Sequence, residues 1–297
     1  MRTVKLRLAT GAIVAIAAAL GAAGCAHAPA SPSSSTPASP APAVSSTGRG
    51  SLLIVGGGPI PDALIARFVT LAGGSGHARI LAMPMASEDA DAGVEIVGDF
   101  TKLGAQAERF VLTRSQADTE DAAKRITGAT GVWFGGGDQA RLMAILSGTR
   151  AEAALRELYL RGGGVLGGTS AGAAVMSTPM ITGDERHPGG DRPPAKDSSD
   201  AFMTIARDDV VTASGIAVVP GVIIDQHFVR RRRHNRLLSL VLEHPDLVGI
   251  GIDESTALEV TPAGPWRIVG ASAAVVYDAR GAKITPPGAP PRFARRA

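Results

Sequence analysis

Ser170 stands in the frame Gly168-Thr169-Ser170-Ala171-Gly172, just after the apolar pair Val165-Leu166. Gly-x-Ser-x-Gly between a strand and a helix is the nucleophile-elbow pattern. The turn is so sharp that only small residues fit beside the serine, and the hydroxyl is thrust outward. Gly168, Ala171 and Gly172 meet that demand. The N–H of Ala171 then faces the place where a carbonyl oxygen gains charge, and the dipole of the following helix acts in the same sense. A glycine-rich strand-to-helix turn with an inert serine has the same five letters, so the partners of Ser170 decide.

A serine hydroxyl needs a base within hydrogen-bond reach to act as a nucleophile at neutral pH. Of the six histidines, His27 lies in a Pro/Ser-rich segment, His187 in a polar one and His77 in a loop, while His234 and His244 ride on or near a basic helix. His227 differs. It follows the apolar run Val222-Ile223-Ile224 in the segment DQHF, and strand ends are where α/β folds collect ligands and chemistry. The base in turn needs an acid to orient it. Asp253 and Glu254 follow a second apolar run, Val248–Ile252. Alternation lets one of two adjacent acids face the imidazole, and spacing does not choose between them. Asp225 is too close along its strand to face His227, although both project from the same side.

Two glycine triplets also end apolar runs. Gly135-Gly136-Gly137 precedes Asp138-Gln139, and Gly56-Gly57-Gly58 precedes Pro59. Glycines let backbone N–H groups approach a ligand closely. The first loop lacks the Lys-Ser/Thr of a P-loop, and Pro59 interrupts the dinucleotide fingerprint, so no phosphate or dinucleotide cofactor is expected. There is no HExxH and no clustered Cys/His, and no metal is expected.

The elements that must carry these residues alternate. Strands are expected at Leu52–Val55, Arg79–Met83, Arg109–Leu112, Gly131–Phe134 and Val165-Leu166. Helices are expected at Ile60–Leu71, Gly93–Leu103, Thr119–Ile126, from Asp138, and at Arg150–Arg161. Later come strands at Ile216–Val219 and Val222–Ile224, a basic helix at Arg230–Glu243, and short strands at Val248–Ile252, Ala257–Val260, Arg267–Val269 and Ala274–Tyr277. Such alternation implies an α/β fold with a mostly parallel central sheet flanked by helices. Continuous apolar runs fit strands buried on both faces. The polar segment 183–200, rich in Gly and Pro, reads as a surface insertion near the site.

The 297 residues are 45% apolar and 4% aromatic, enough for one large core and too poor in rings to stack bases. Arg2, Lys5 and Arg7 precede an apolar stretch that ends Ala22-Ala23-Gly24-Cys25. Residues 1–24 therefore read as a secretory signal resembling that of a bacterial lipoprotein. Cys25 would be lipidated and anchor the chain to a membrane in the periplasm or at the cell surface. Such signals usually carry Leu where Ala22 stands, and a plain secretory signal is the alternative. Removing 1–24 takes away three basic residues and no acid, leaving 27 of each sign. The pI of 9.3 is therefore no sign of a nucleic-acid partner. Residues 25–50 read as the anchor cysteine and an Ala/Pro/Ser linker, 51–284 as the catalytic domain and 285–297 as a solvated tail. With one cysteine no internal disulfide forms.

FGGGDQARL, GGTSAGAAVM, DQHFVRRRRHNRL and GIGIDESTAL occur in that order. Together they resemble the cyanophycinase family of serine peptidases, relatives of aspartyl dipeptidases, over about residues 51–278. The resemblance implies a class I glutamine amidotransferase-like (flavodoxin-like) three-layer sandwich. It implies Ser170 as nucleophile, His227 as base and Glu254 as orienting acid, with Ala171 and Gly137 N–H holding the oxyanion. Gln139, Asp225, Gln226, Arg231, Arg233 and Arg236 match polar residues near the substrate. The implied substrate is cyanophycin, a poly-aspartate with arginine on each side-chain carboxyl, or a related β-aspartyl peptide, and the implied product a β-Asp-Arg dipeptide. Dimers are implied too. A patatin-like esterase shares the serine frame but would need an Asp-based dyad and an apolar acyl channel. An inactive, lipid-anchored binding protein would have no reason to keep serine, histidine and glutamate together.

Overall fold

The computed structural model describes residues 48–186, 202–262 and 264–282. In chain order the elements are β1 (Ser51–Val55), α1 (Asp62–Leu71), β2 (Arg79–Met83), α2 (Val94–Lys102), β3 (Gln106–Arg109), α3 (Arg114–Ala117) and α4 (Glu120–Gly128). Then come β4 (Gly131–Phe134), α5 (Gln139–Leu146), α6 (Arg150–Leu160), β5 (Val165–Thr169), α7 (Ala171–Ala174), β6 (Met180–Glu185) and β7 (Val210–Ala213). The chain continues through β8 (Val222–Asp225), α8 (His234–Glu243), β9 (Val248–Ile252), β10 (Thr256–Val260), β11 (Arg267–Gly270) and β12 (Ala274–Asp278).

Seven strands form the main sheet in the order β11-β10-β1-β5-β4-β2-β3. The five from β1 to β3 are parallel, and β10 and β11 extend the sheet antiparallel. Leu52 to Val55 are fully buried, as expected of a strand covered on both faces. On one face α1 and α2 bring Phe68 and Phe100 edge-on against Trp133, with ring centroids 5.0 and 5.8 Å away. Each such pair contributes about 0.5–1.5 kcal/mol beyond its buried area. On the other face Leu142, Leu146, Leu155 and Leu158 of α5 and α6 close the core. Thr119, Asp138 and Thr149 cap α4, α5 and α6 by accepting N–H bonds from the first turn.

A second sheet runs β12-β9-β8, with β8 and β9 parallel, and β6 and β7 make a hairpin. The expected parallel sheet is present, but the strands that lead to His227 and to Glu254 belong to this smaller one. The chain crosses between the sheets at residues 253–255, where β9 passes into β10.

Several expected elements differ. Arg230–Glu243 is a helix only from His234; before it the backbone turns, with Arg232 at φ +55°. Ile216–Val219 is buried but not a strand: Ile216, Val218 and Val219 N–H donate to carbonyls of Val175 and Met176. β3 lies at Gln106–Arg109, ahead of the expected Arg109–Leu112. Residues 183–185, expected to open an insertion, complete β6. Residues 187–200 of that segment, residues 1–47 with Cys25, and the 285–297 tail lie outside the described residues. Among the described residues no helix is long and apolar enough to cross a membrane.

Candidate active site

Register brings three loops to one level. β5 pairs parallel with β1, Thr169 opposite Val55, and with β4, Gly168 opposite Phe134. The residues that follow these strands are Gly56-Gly57-Gly58, Ser170 and Gly135-Gly136-Gly137. They meet at the carboxyl edge of the sheet, with Ser170 between the two triplets.

Ser170 has φ +56° and ψ −111°. A non-glycine residue held there costs on the order of 1–3 kcal/mol and persists only where its surroundings fix it. They do: Ser170 N–H donates to Val55 O at 3.1 Å, while its carbonyl accepts from Ala173 and Ala174 N–H. A Cβ at Gly168 would come within 2.7 Å of Gly172 O, and one at Gly172 within 2.7 Å of Phe134 Cβ. The crowding read from the small residues is therefore real. The helix it launches, α7, has four residues, so its dipole contributes little and any oxyanion stabilisation falls to amide N–H groups.

His227 Nε2 lies 2.9 Å from Ser170 Oγ, and His227 Nδ1 lies 2.6 Å from Glu254 Oε1. With Nδ1 protonated and donating to the carboxylate, Nε2 presents its lone pair to the serine hydroxyl. The histidine side chain is 7% exposed and that of Glu254 26%. The β1 loop supports both: Gly57 packs under the imidazole and Gly58 under Glu254, whose Cβ and Oε2 a side chain at Gly58 would meet at 2.8 and 2.9 Å. His227 N–H donates to Gly56 O at 2.6 Å, and Ser255 N–H to Gly57 O at 2.9 Å.

Asp253, the other candidate acid, turns the opposite way. Its Oδ1 accepts the N–H groups of Val229 and Arg230 at 3.1 and 2.9 Å, and its Oδ2 accepts the Ser272 hydroxyl at 2.7 Å. Burial pushes its pKa up, but these hydrogen bonds outweigh burial and hold it below the ordinary value. It pins the turn after His227, and Glu254 alone reaches the imidazole.

Burial drives the His227 pKa below its ordinary value. The bond to Glu254 opposes that shift, and the Arg231 and Arg233 charges reinforce it. The imidazole is neutral near pH 7, the state a general base requires.

The other residues singled out in the sequence fall into two groups. Gly136 lies against Ser170, its Cβ direction 3.5 Å from Ser170 Cβ. Gly137, at φ +134°, backs onto Ala86 O, which accepts Asp138 N–H at 2.9 Å. The N–H groups of Gly136, Gly137 and Ala171 find no backbone acceptor among the described residues. Arg231 is exposed, and its N–H donates to His227 O at 2.9 Å. The remainder are buried and engaged inside the protein. Gln139 Nε2 donates to Ile181 O and Thr182 O at 2.8 and 2.7 Å. Asp225 and Arg236, at most 1% exposed, form a bidentate pair at 2.8 and 2.5 Å. Arg233 Nη1 donates to Gln226 O and Oε1 at 2.9 and 2.7 Å.

Sequence reasoning missed the role of the β1 loop. The signal was there, a glycine triplet at a strand end, but it was weighed only as a ligand cradle. Among the described residues no group of three or more His, Cys, Asp or Glu is placed to hold a metal ion.

The model of Peptidase family S51 matches residues 52–264, a span that includes Ser170, His227 and Glu254. The chain is 34% identical over 225 residues to a cyanophycinase of Synechococcus elongatus, covering 75% of this chain and 65% of that protein. It is 33% identical over 243 residues to a cyanophycinase of Geminocystis herdmanii, covering 80% and 84%. It thus spans 65% of the length of the Synechococcus relative. Among solved structures, a peptidase from an acI-B1 Actinobacterium shares the fold with a TM-score of 0.60 at 23% identity, covering 79% of this chain and 93% of that one. With motifs, fold and family profile in agreement over most of the described residues, the chain belongs to peptidase family S51.

Proposed function

We propose that this chain is a serine-type peptidase that hydrolyses cyanophycin or a related β-aspartyl peptide through Ser170, His227 and Glu254. The observation that carries the reading is the unbroken line of contacts from carboxylate to imidazole to hydroxyl, 2.6 and 2.9 Å long. Ser170 Oγ bonds to the amide carbonyl carbon as its proton passes to His227 Nε2. Glu254 stabilises the imidazolium. Amide N–H groups of Ala171 and of the β4 loop hold the oxyanion. The tetrahedral intermediate then expels the amine, which takes the proton from Nε2. A water deprotonated by the same nitrogen attacks the acyl-enzyme and frees Ser170.

Arg231 supports the substrate class. It is exposed beside His227, where a guanidinium pairs with a free carboxylate of an aspartyl peptide. Incubation of purified protein with cyanophycin, isoaspartyl dipeptides and short-chain esters tests the reading. β-Asp-Arg released from cyanophycin supports it, and turnover of esters alone overturns it. The leader at 1–24 and Cys25 support an exported, lipid-anchored form. Mass spectrometry of the membrane fraction would find a diacylated N-terminal Cys25, and an unmodified Cys25 would end that part of the proposal.

A further inference from the structure

We propose that Arg233 is a positioning residue for His227 and not a group that binds substrate carboxylate. The inference rests on the reading of His227 as general base. The carbonyl of Gln226 and the N–H of His227 belong to one peptide unit, and both its polar groups are held. Arg233 Nη1 donates to the carbonyl oxygen at 2.9 Å, while the N–H donates to Gly56 O at 2.6 Å. The same Nη1 donates to Gln226 Oε1 at 2.7 Å, which aims the guanidinium. Arg233 N–H donates to Phe228 O at 2.9 Å, closing the turn around the histidine.

This clamp acts where it has mechanical effect. His227 has φ +48°, a conformation a side-chain-bearing residue keeps only when its surroundings over-determine it. Rotation of that peptide unit swings the imidazole away from Ser170 and Glu254 together. Arg233 is 5% exposed and Gln226 3%, so the pair forms the interior of the turn. The charged groups around the ring are Glu254 from the end of β9 and Arg231 and Arg233 from the turn itself. Removing Arg233 takes away one cation that disfavours the imidazolium.

The test separates positioning from substrate binding with a probe that carries no carboxylate. A small alkyl fluorophosphonate reacts when Ser170 Oγ bonds to phosphorus, fluoride leaves, and the serine proton passes through His227 to solvent. The rate reads the catalytic geometry with no contribution from recognition of a substrate carboxylate. We expect Arg233→Met to label Ser170 roughly 100-fold more slowly than the unmodified protein, the cost of ångström-scale misplacement. Arg233→Lys should recover part of that loss. The residual rate of Arg233→Met should have its acid limb at higher pH. If Arg233→Met does not fold, Gln226→Leu removes only the side-chain anchor and should label about tenfold more slowly, as a single weakened hydrogen bond implies. Labelling of Arg233→Met or folded Gln226→Leu at the unmodified rate, with only the peptide KM raised, would make Arg233 a substrate-binding group and overturn the proposal. Failure of the unmodified protein to label at Ser170 would remove the triad reading and this proposal with it.

Discussion

Gly57 lies against the imidazole of His227 so closely that a methyl group on its α-carbon would overlap both ring nitrogens. Gly57 also has φ +115°, which a residue with a side chain rarely adopts. Gly57→Ala should therefore displace the ring from Ser170 and lower kcat about 100-fold, with a lower melting temperature. Steady-state kinetics beside a thermal melt check this. A variant with undiminished kcat would show that the loop does not support the base.

The lowered His227 pKa fixes the acid side of the pH profile. The neutral imidazole is the active form, so the acid limb of kcat/KM should be centred below 6.5, the ordinary imidazole value, with activity lost as pH drops through the lowered folded-state value. Stability follows the same sign. The neutral buried ring contributes fully above its unfolded value near 6.5, and the contribution is lost as pH falls through the lowered one. An acid limb centred above pH 6.5 would contradict the assignment.

Adjacent acids should give opposite phenotypes. Glu254→Gln leaves the fold in place but removes the charge that orients and stabilises the imidazolium, for an expected loss of about 10³–10⁴-fold in kcat. Asp253→Asn weakens three hydrogen bonds behind the turn. It should cost about 1–3 kcal/mol, with a smaller effect on rate. Paired thermal melts and kinetics distinguish the two, and a reversal of the pattern would exchange their roles.

Asp225 and Arg236 should behave as a structural pair. Arg236→Leu leaves a buried carboxylate uncompensated and should destabilise the protein by about 3–5 kcal/mol. Asp225→Leu combined with Arg236→Leu should recover much of that in urea unfolding. Loss of binding with unchanged stability would return both to the substrate pocket.

The parallel sheet and the serine, histidine and acid positions were legible because buried strands and their ends leave apolar runs broken by characteristic residues. The choice of Glu254 over Asp253 came from family resemblance; in the fold it follows from backbone N–H groups of residues 229 and 230, which no spacing rule reveals. The same contact explains the misread helix. Arg230–Arg233 continues the polar pattern of α8, but Asp253 and the positive φ of Arg232 bend the chain there. Ile216–Val219 shows that an apolar run signals burial and not strand pairing. The hairpin strand β6 was missed because Gly183, Asp184 and Glu185 lack the composition of a strand.

The nucleophile rides on one sheet, while the base and the acid ride on another. The seam between them is held by contacts such as His227 N–H to Gly56 O and Ile224 N–H to Ser177 Oγ at 3.1 Å. Parting that seam by an ångström would silence the serine before either sheet melts. Turnover is thus a strain gauge for the join, and mild denaturant should extinguish it while circular dichroism still reports native strands and helices.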